Sequence, residues 1–160
     1  MQSVFDSENI SFVRLSETLL PDYMAMVNDI ERVARFIGDR REPFTEAQEK
    51  DWVRQKLAEE AVLFSMLEKE TGAFIGNIEF MDVADGAGEL GIAITAQMQD
   101  KGYGTEAIPA MVRYGMDTLG LHRVFLKVYP HNARAIHVYE KCGFRQYDRT
   151  DEKVFMEIIR

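Results

Sequence analysis

The chain has 160 residues, 46% of them hydrophobic and 29% charged, with a net charge of −8 and one cysteine. That length fits a single domain, 1–160, able to bury a core without disulfide or metal. The acidic balance, with a pI of about 4.9, lacks the basic footprint of a nucleic-acid binder; it reads as charge that keeps the protein in solution, or as an attraction for cationic small molecules or basic peptides.

The opening, MQSVFDSENI, has no basic region followed by an apolar run. No apolar stretch is long enough to cross a bilayer, and a lone cysteine, Cys142, permits no internal disulfide. A cytoplasmic protein without membrane attachment is expected. Ser11 to Ser16 alternate and predict the first strand. Helical sequence follows from Glu17 to about Phe36, then a proline-containing loop, GDRREPFT, from Gly38 to Thr45. Thr45 reads as the N-cap of a helix with Trp52 and Leu57 on its inner side. VLFSMLEKETGAFIGNIEFMDV predicts two strands joined at Thr71-Gly72, DGAG another turn, and Glu89 to Thr95 a further strand. Three consecutive strands are most simply an antiparallel meander.

The pattern then changes. Ile108, Met111, Val112, Gly115 and Leu119 form a helical stripe ended by Gly120. HRVFLKVYP is a strand with a proline stop. NARAIHVYEKC is a short helix, opened by Asn132 and closed by Gly143. FRQYDR and KVFMEIIR form a terminal hairpin around Asp151-Glu152. Strand, helix and strand in the middle imply a parallel pair. The expected fold is therefore a mixed α/β sheet: an antiparallel meander, a parallel pair with a crossover helix, and a C-terminal hairpin. Pro109 lies inside the predicted helix, where it removes the bond to the Thr105 carbonyl. It should kink the helix or push its start later.

The segment KGYGTEA, Lys101 to Ala107, matches the loose form G-x-G-x-x-A of a dinucleotide fingerprint. That fingerprint needs its glycines directly after a strand and an acid at the end of the next one. Here AQMQDK intervenes, and the next strand ends KVYPHN, so a dinucleotide-dependent oxidoreductase is the disfavoured reading. The backbone amides remain. Gly102 and Gly104 at a helix N-terminus suit a pyrophosphate, or simply an ordinary helix start.

Extended on both sides, the loop resembles a known family. Gln99-x-x-Gly102-x-Gly104 is similar to the Q/R-x-x-G-x-G/A acyl-CoA motif of the GNAT superfamily of N-acetyltransferases. N-x-x-A-x-x-x-Y-E-K-x-G-F, Asn132 to Phe144, resembles the next block of that family, in the branch of ribosomal-protein N-terminal alanine and spermidine acetyltransferases. The strong match covers about a third of the chain, Glu89 to Phe144; a weaker one, including REPFTEAQ, reaches back to Ser11.

The resemblance implies a cytoplasmic transferase that takes acetyl-CoA and passes the acetyl group by direct attack to a primary amine. The acceptor would be a polyamine, an amino-metabolite or a protein N-terminus. It also implies that the strand at Glu89 to Thr95 and the strand at His122 to Tyr129 run parallel and splay, with the pantetheine arm between them like an added strand. By the same resemblance the pyrophosphate sits on amides of Gln99, Asp100, Lys101, Gly102, Tyr103, Gly104 and Thr105. Ile92, Ala93 and Ile94 supply oxyanion donors, and Asn132 contacts the pantetheine region. Tyr139 is implied as the acid at the sulfur, beside its plain reading as a core residue. Asn132 equally reads as an N-cap, and both roles can hold. Glu89 and Glu79 are the candidate bases, each equally readable as a solvated strand residue. Cys142 reads as a small buried hydrophobe rather than a nucleophile. His122, His131 and His137 lack metal spacing, so no metal is expected. Arg40-Arg41 reads as a solvated loop or as the border of the substrate mouth. Exposed strand edges admit a homodimer. A non-catalytic acyl-CoA-binding module on the same fold is the alternative.

Overall fold

The structure, a computed structural model, describes residues 1–38 and 42–160. The Arg40-Arg41 pair lies outside the described residues. The chain divides into two compact units, residues 1–79 with 92–103, and residues 80–91 with 104–160.

The first unit begins with a hairpin that pattern alone did not reveal. β1, Ser3–Asp6, pairs antiparallel with β2, Ile10–Arg14, and Phe5 stacks on Phe12 with ring centroids 4.2 Å apart. The expected first strand thus begins at Ile10 and ends at Arg14. Ser16 instead caps a short turn, its side chain accepting from the Thr18 amide. The single helix expected to about Phe36 is segmented. α1, Leu20–Val27, carries Pro21 in its first turn, where the missing N–H costs nothing. A wide helical turn, Ile30–Ala34, follows, capped by Asp29, and α2, Arg35–Ile37, ends the segment.

Thr45 and Gln48 form the reciprocal capping box that opens α3, Glu46–Ala58. The inner face of α3 differs from the expectation. Glu49 and Val53 are buried and Trp52 is half-buried, while Leu57, in the last turn, is exposed. Leu57 falls beyond the cluster of Leu15, Tyr23, Met26, Val33 and Phe74 against which α3 packs.

β3, Val62–Glu68, pairs antiparallel with β2. It turns at Gly72, φ +77, into β4, Phe74–Ala84, closed by Gly72 N–H to Glu68 O at 2.7 Å. Inside this unit the hydroxyl of Tyr23 lies 2.6 Å from Ser65 Oγ, which donates onward to Asn77 Oδ1 at 2.8 Å. Burial raises the Tyr23 hydroxyl above its ordinary value, which keeps it a donor.

β4 passes into the second unit and meets β5, Ala87–Ile94, through Asp85 (φ 52) and Gly86 (φ 74). Two successive left-handed residues make a tight hairpin turn, which joins only antiparallel strands. α4, Tyr103–Asp117, then leads to β6, Arg123–Val128. β5 and β6 are parallel, with partners Ala87↔Arg123, Gly88↔Val124 and Glu89↔Phe125. β6 pairs along its whole length with β8, Val154–Ile159, and β8 with β7, Arg145–Arg149, both antiparallel. α5, Ala133–Lys141, separates β6 from this hairpin. The mixed α/β architecture expected from the sequence is therefore present.

α4 buries Ala107, Ile108, Ala110, Met111, Val112 and Gly115. Gly115 lies against the Phe80 ring, where a Cβ would come within 2.7 Å. Leu119, expected in this stripe, lies past the helix end and is exposed. The expected late start of the helix does not occur either. α4 begins at Tyr103 and runs through Pro109 without interruption. Among the described residues, no helix is long and apolar enough to cross a membrane.

Replacing Tyr23 by Phe removes the hydroxyl that pairs with Ser65 and accepts from the Ser16 amide at 3.2 Å. A loss of about 1–2 kcal/mol is expected, read as a lower urea midpoint at unchanged slope.

Candidate functional site

The glycine loop begins where β5 ends. A short turn, Ala96–Met98, follows Thr95, whose amide returns to Ile75 O at 2.9 Å. Asp100, φ 60, and Gly102, φ 86, are both left-handed, and α4 starts at the next residue. Gly102 is explained by that φ rather than by crowding, since a Cβ there meets nothing within 4 Å. The amides of Tyr103, Gly104 and Thr105 lie in the first helical turn, where no intrahelical acceptor exists. The positive end of the helix dipole adds to them. Lys101 is exposed beside this turn.

The side chain of Gln99 does something else. Its Nε2 donates to Arg32 O and to Ile94 O, both at 3.0 Å. One amide nitrogen so ties the wide turn after α1 to the end of β5. Tyr103 is anchored too, its hydroxyl donating to Glu68 Oε2. The motif's polar side chains brace the loop.

Ile92, Ala93 and Ile94 are half-buried at the end of β5. Gly76, a residue the sequence reading did not single out, sets their position. A Cβ on it would fall inside the Ala93 carbonyl oxygen and within 2.9 Å of Ile94 Cα. A glycine inside a strand often marks such close backbone approach, and that was the available signal.

In the second unit, Asn132 caps α5, its Oδ1 accepting from the Ala135 amide at 3.3 Å. The N-cap reading is thus present, and the NH2 group is not used by it. The far end of α5 closes with Gly143 at φ 97: Gly143 N–H reaches Glu140 O at 3.1 Å, and Phe144 N–H reaches Tyr139 O at 3.0 Å. Phe144 also packs its ring on Tyr139, centroids 5.9 Å apart.

Tyr139 is only 8% exposed, yet no buried polar side-chain atom among the described residues lacks a partner. No hydrogen bond to its hydroxyl is present among them, so the ring is packed while the oxygen reaches solvent. Burial pushes the hydroxyl up to about 12, with the neighbouring Cys142 adding to the effect. Cys142 is half-buried and its thiol lies 3.9 Å from Thr105 O, in the first turn of α4.

Glu89 carries an ion pair, its carboxylate 3.8 Å from the Lys127 ammonium, with only 15% of the side chain exposed. Glu79 is half-buried on β4. The structure therefore brings Ile94 and Gln99 together in one unit, and Thr105 and the Tyr139 helix in the other. Among the described residues, no group of three or more His, Cys, Asp or Glu could hold a metal ion.

Comparison with known proteins gives one family. The acetyltransferase (GNAT) domain matches residues 9–145. A Bacillus subtilis (strain 168) protein described as uncharacterized N-acetyltransferase YnaD is 30% identical over 64% of this chain and 61% of its own length. Spermidine N(1)-acetyltransferase of Vibrio cholerae is 31% identical over 51% of this chain and 49% of its own. The Escherichia coli (strain K12) ribosomal protein uS5-alanine N-acetyltransferase is 32% identical over 54% and 46%. The matched segments thus span about half to three-fifths of these relatives. Among solved structures, a GNAT acetyltransferase from Bacillus anthracis superimposes with a TM-score of 0.84 at 21% identity, covering 96% of each chain. Spermidine N-acetyltransferase from Vibrio cholerae, solved with CoA and spermine, gives 0.81 at 20%, covering 94% of this chain and 95% of its own.

Gly76→Ala forces the Ala93–Ile94 backbone to move. An overpacking cost of about 1–3 kcal/mol is expected in urea denaturation; an unchanged midpoint would mean that this approach carries no constraint.

Proposed function

The chain belongs to the GNAT acetyltransferase family, and on that premise we propose that it acetylates a primary amine at the expense of acetyl-CoA. The observation that carries the proposal is the left-handed turn that leads into the first amides of α4. It is set by Asp100 and Gly102, braced by Gln99, and open to an anion at Gly102. Gly102, Tyr103, Gly104 and Thr105 would hold the pyrophosphate through their amides, with Lys101 adding charge. The backbone of Ile92, Ala93 and Ile94 would hold the pantetheine and donate to the developing oxyanion. The NH2 of Asn132 is not spent on its cap bond, which uses Oδ1. The single-domain reading, 1–160, is supported by a family match that runs through both units. A cytoplasmic setting is part of the proposal, supported by the one unpaired thiol.

Acetyl-CoA supplies an acyl thioester. Tyr139 supplies a hydrogen bond to the departing sulfur, and its high pKa limits what it can do. An ordinary thiolate has a pKa of about 8.5, so it is too weak a base to strip a hydroxyl at about 12. Tyr139 therefore stabilises the sulfur as a donor and keeps its proton. Glu79 and Glu89 are the carboxylates assigned to accept the amine's proton, directly or through water. The acceptor is a cationic amine. A net charge of −8 raises its local concentration, and relatives named for spermidine and for a ribosomal-protein alanine support the class.

Thiol release should be measured with acetyl-CoA and three acceptors: spermidine, an amino sugar and an alanine-initiated peptide. Release that depends on one amine is expected; thermal stabilisation by acetyl-CoA with no release from any of them would leave a binding module instead. Tyr139→Phe should lower kcat by on the order of a hundredfold, the scale of a lost oxyanion donor, with little change in acetyl-CoA affinity. Because Tyr139 is protonated, and so competent, at every pH below about 12, kcat should show no falling alkaline limb up to about pH 10, beyond which the enzyme's other groups intervene. Of Glu79→Gln and Glu89→Gln, the variant that loses the acid-side rise of kcat/KM identifies the proton acceptor.

A further inference from the structure

Pro109 has no N–H, so the carbonyl of Thr105, four residues earlier in α4, lacks the helical donor it would otherwise have. The atom directed at that carbonyl is the Cys142 sulfur, 3.9 Å away and 37 residues distant in sequence. We propose that Cys142 is a positioning residue for acetyl transfer: its thiol replaces the missing proline N–H at Thr105 O and so fixes the first turn of α4, which presents the phosphate-facing amides.

The chemistry of each partner fits. Burial raises the Cys142 thiol above its ordinary value, with Lys141 opposing, so the group remains S–H and a donor. The sulfur is itself held. Cys142 is the C-cap of α5, its amide bonded to Val138 O at 3.0 Å and Tyr139 O at 3.1 Å, and the left-handed Gly143 follows. A helix end made rigid in this way presents the thiol at a fixed height. The turn that carries Thr105 thereby shares a hydrogen bond with the helix that carries Tyr139.

The kinetic consequence rests on the acetyl-CoA reading above; the contact itself does not. Cys142→Ala, Pro109→Ala and their combination test it. In the parent, Cys142→Ala should raise the KM for acetyl-CoA by roughly three- to tenfold, the scale of one modest hydrogen bond, leaving kcat and the amine KM nearly unchanged. In the Pro109→Ala background, where an amide N–H again reaches Thr105 O, the same substitution should have no effect. Equal losses in both backgrounds would overturn the proposal. Should Cys142→Ala fold poorly, Cys142→Val, which fills the space without a donor, replaces it and should show the same rise in the parent and none in the Pro109→Ala background; a parent-like KM in Cys142→Val would overturn the proposal.

A second readout is independent of turnover. Cys142 is the chain's one thiol, so its reaction with a disulfide reagent reports on this position alone. A carbonyl facing the sulfur disfavours its anion, hence Pro109→Ala should accelerate the reaction several-fold. An unchanged rate removes the contact even if the enzyme acetylates amines. An accelerated rate in a protein that acetylates nothing would keep the contact and discard the acetyltransferase reading.

Discussion

Gln99 donates twice from one nitrogen, to the last carbonyl of β5 and to a carbonyl in the wide turn after α1. Both bonds are to backbone, so neither depends on a rotamer elsewhere. They fix where β5 stops and where the chain must double back toward α4. Asp100 and Gly102 then supply the left-handed geometry that reverses the path within three residues. A polar side chain in a ligand motif is easily taken for a ligand contact. Here the side chain is spent on the scaffold.

The sequence was most legible where a signal and its partner lie within a few residues. Thr45 with Gln48, Asp85 with Gly86, Asn132 with Ala135 and Gly143 with the end of α5 are all of this kind. It was less legible where the partner is remote. β1 is four residues long and owes its place to the aromatic stack of Phe5 on Phe12. Leu57 follows the apolar period of α3, but the cluster it would join ends one turn earlier. Gly76 looks like any strand glycine until the Ala93 carbonyl is placed against it. Pro109 reads as a helix breaker because its compensating sulfur lies in the next helix. Within the candidate site, the residue types were evident from the motif. Which atoms are already committed to internal bonds was not.

Tyr139 shows how packing selects among chemical roles. Sealing the ring against Phe144 fixes the oxygen in space, and the same sealing makes its anion costly. A phenol in such surroundings is a poor source of protons and a dependable hydrogen-bond donor over the whole physiological range. The burial that holds the ring is thus also what raises its hydroxyl.

β4 and β5 each cross from one compact unit to the other, so neither unit is a continuous piece of chain. A nascent polypeptide released only as far as Glu79 lacks the strand end that sits against Gly76, and synthesis must reach Tyr103 before the earlier unit has all its parts. Early translation products therefore carry an open sheet edge, a standing invitation to chaperones, and proteolytic or genetic dissection at a single point between Phe80 and Tyr103 severs both units at once.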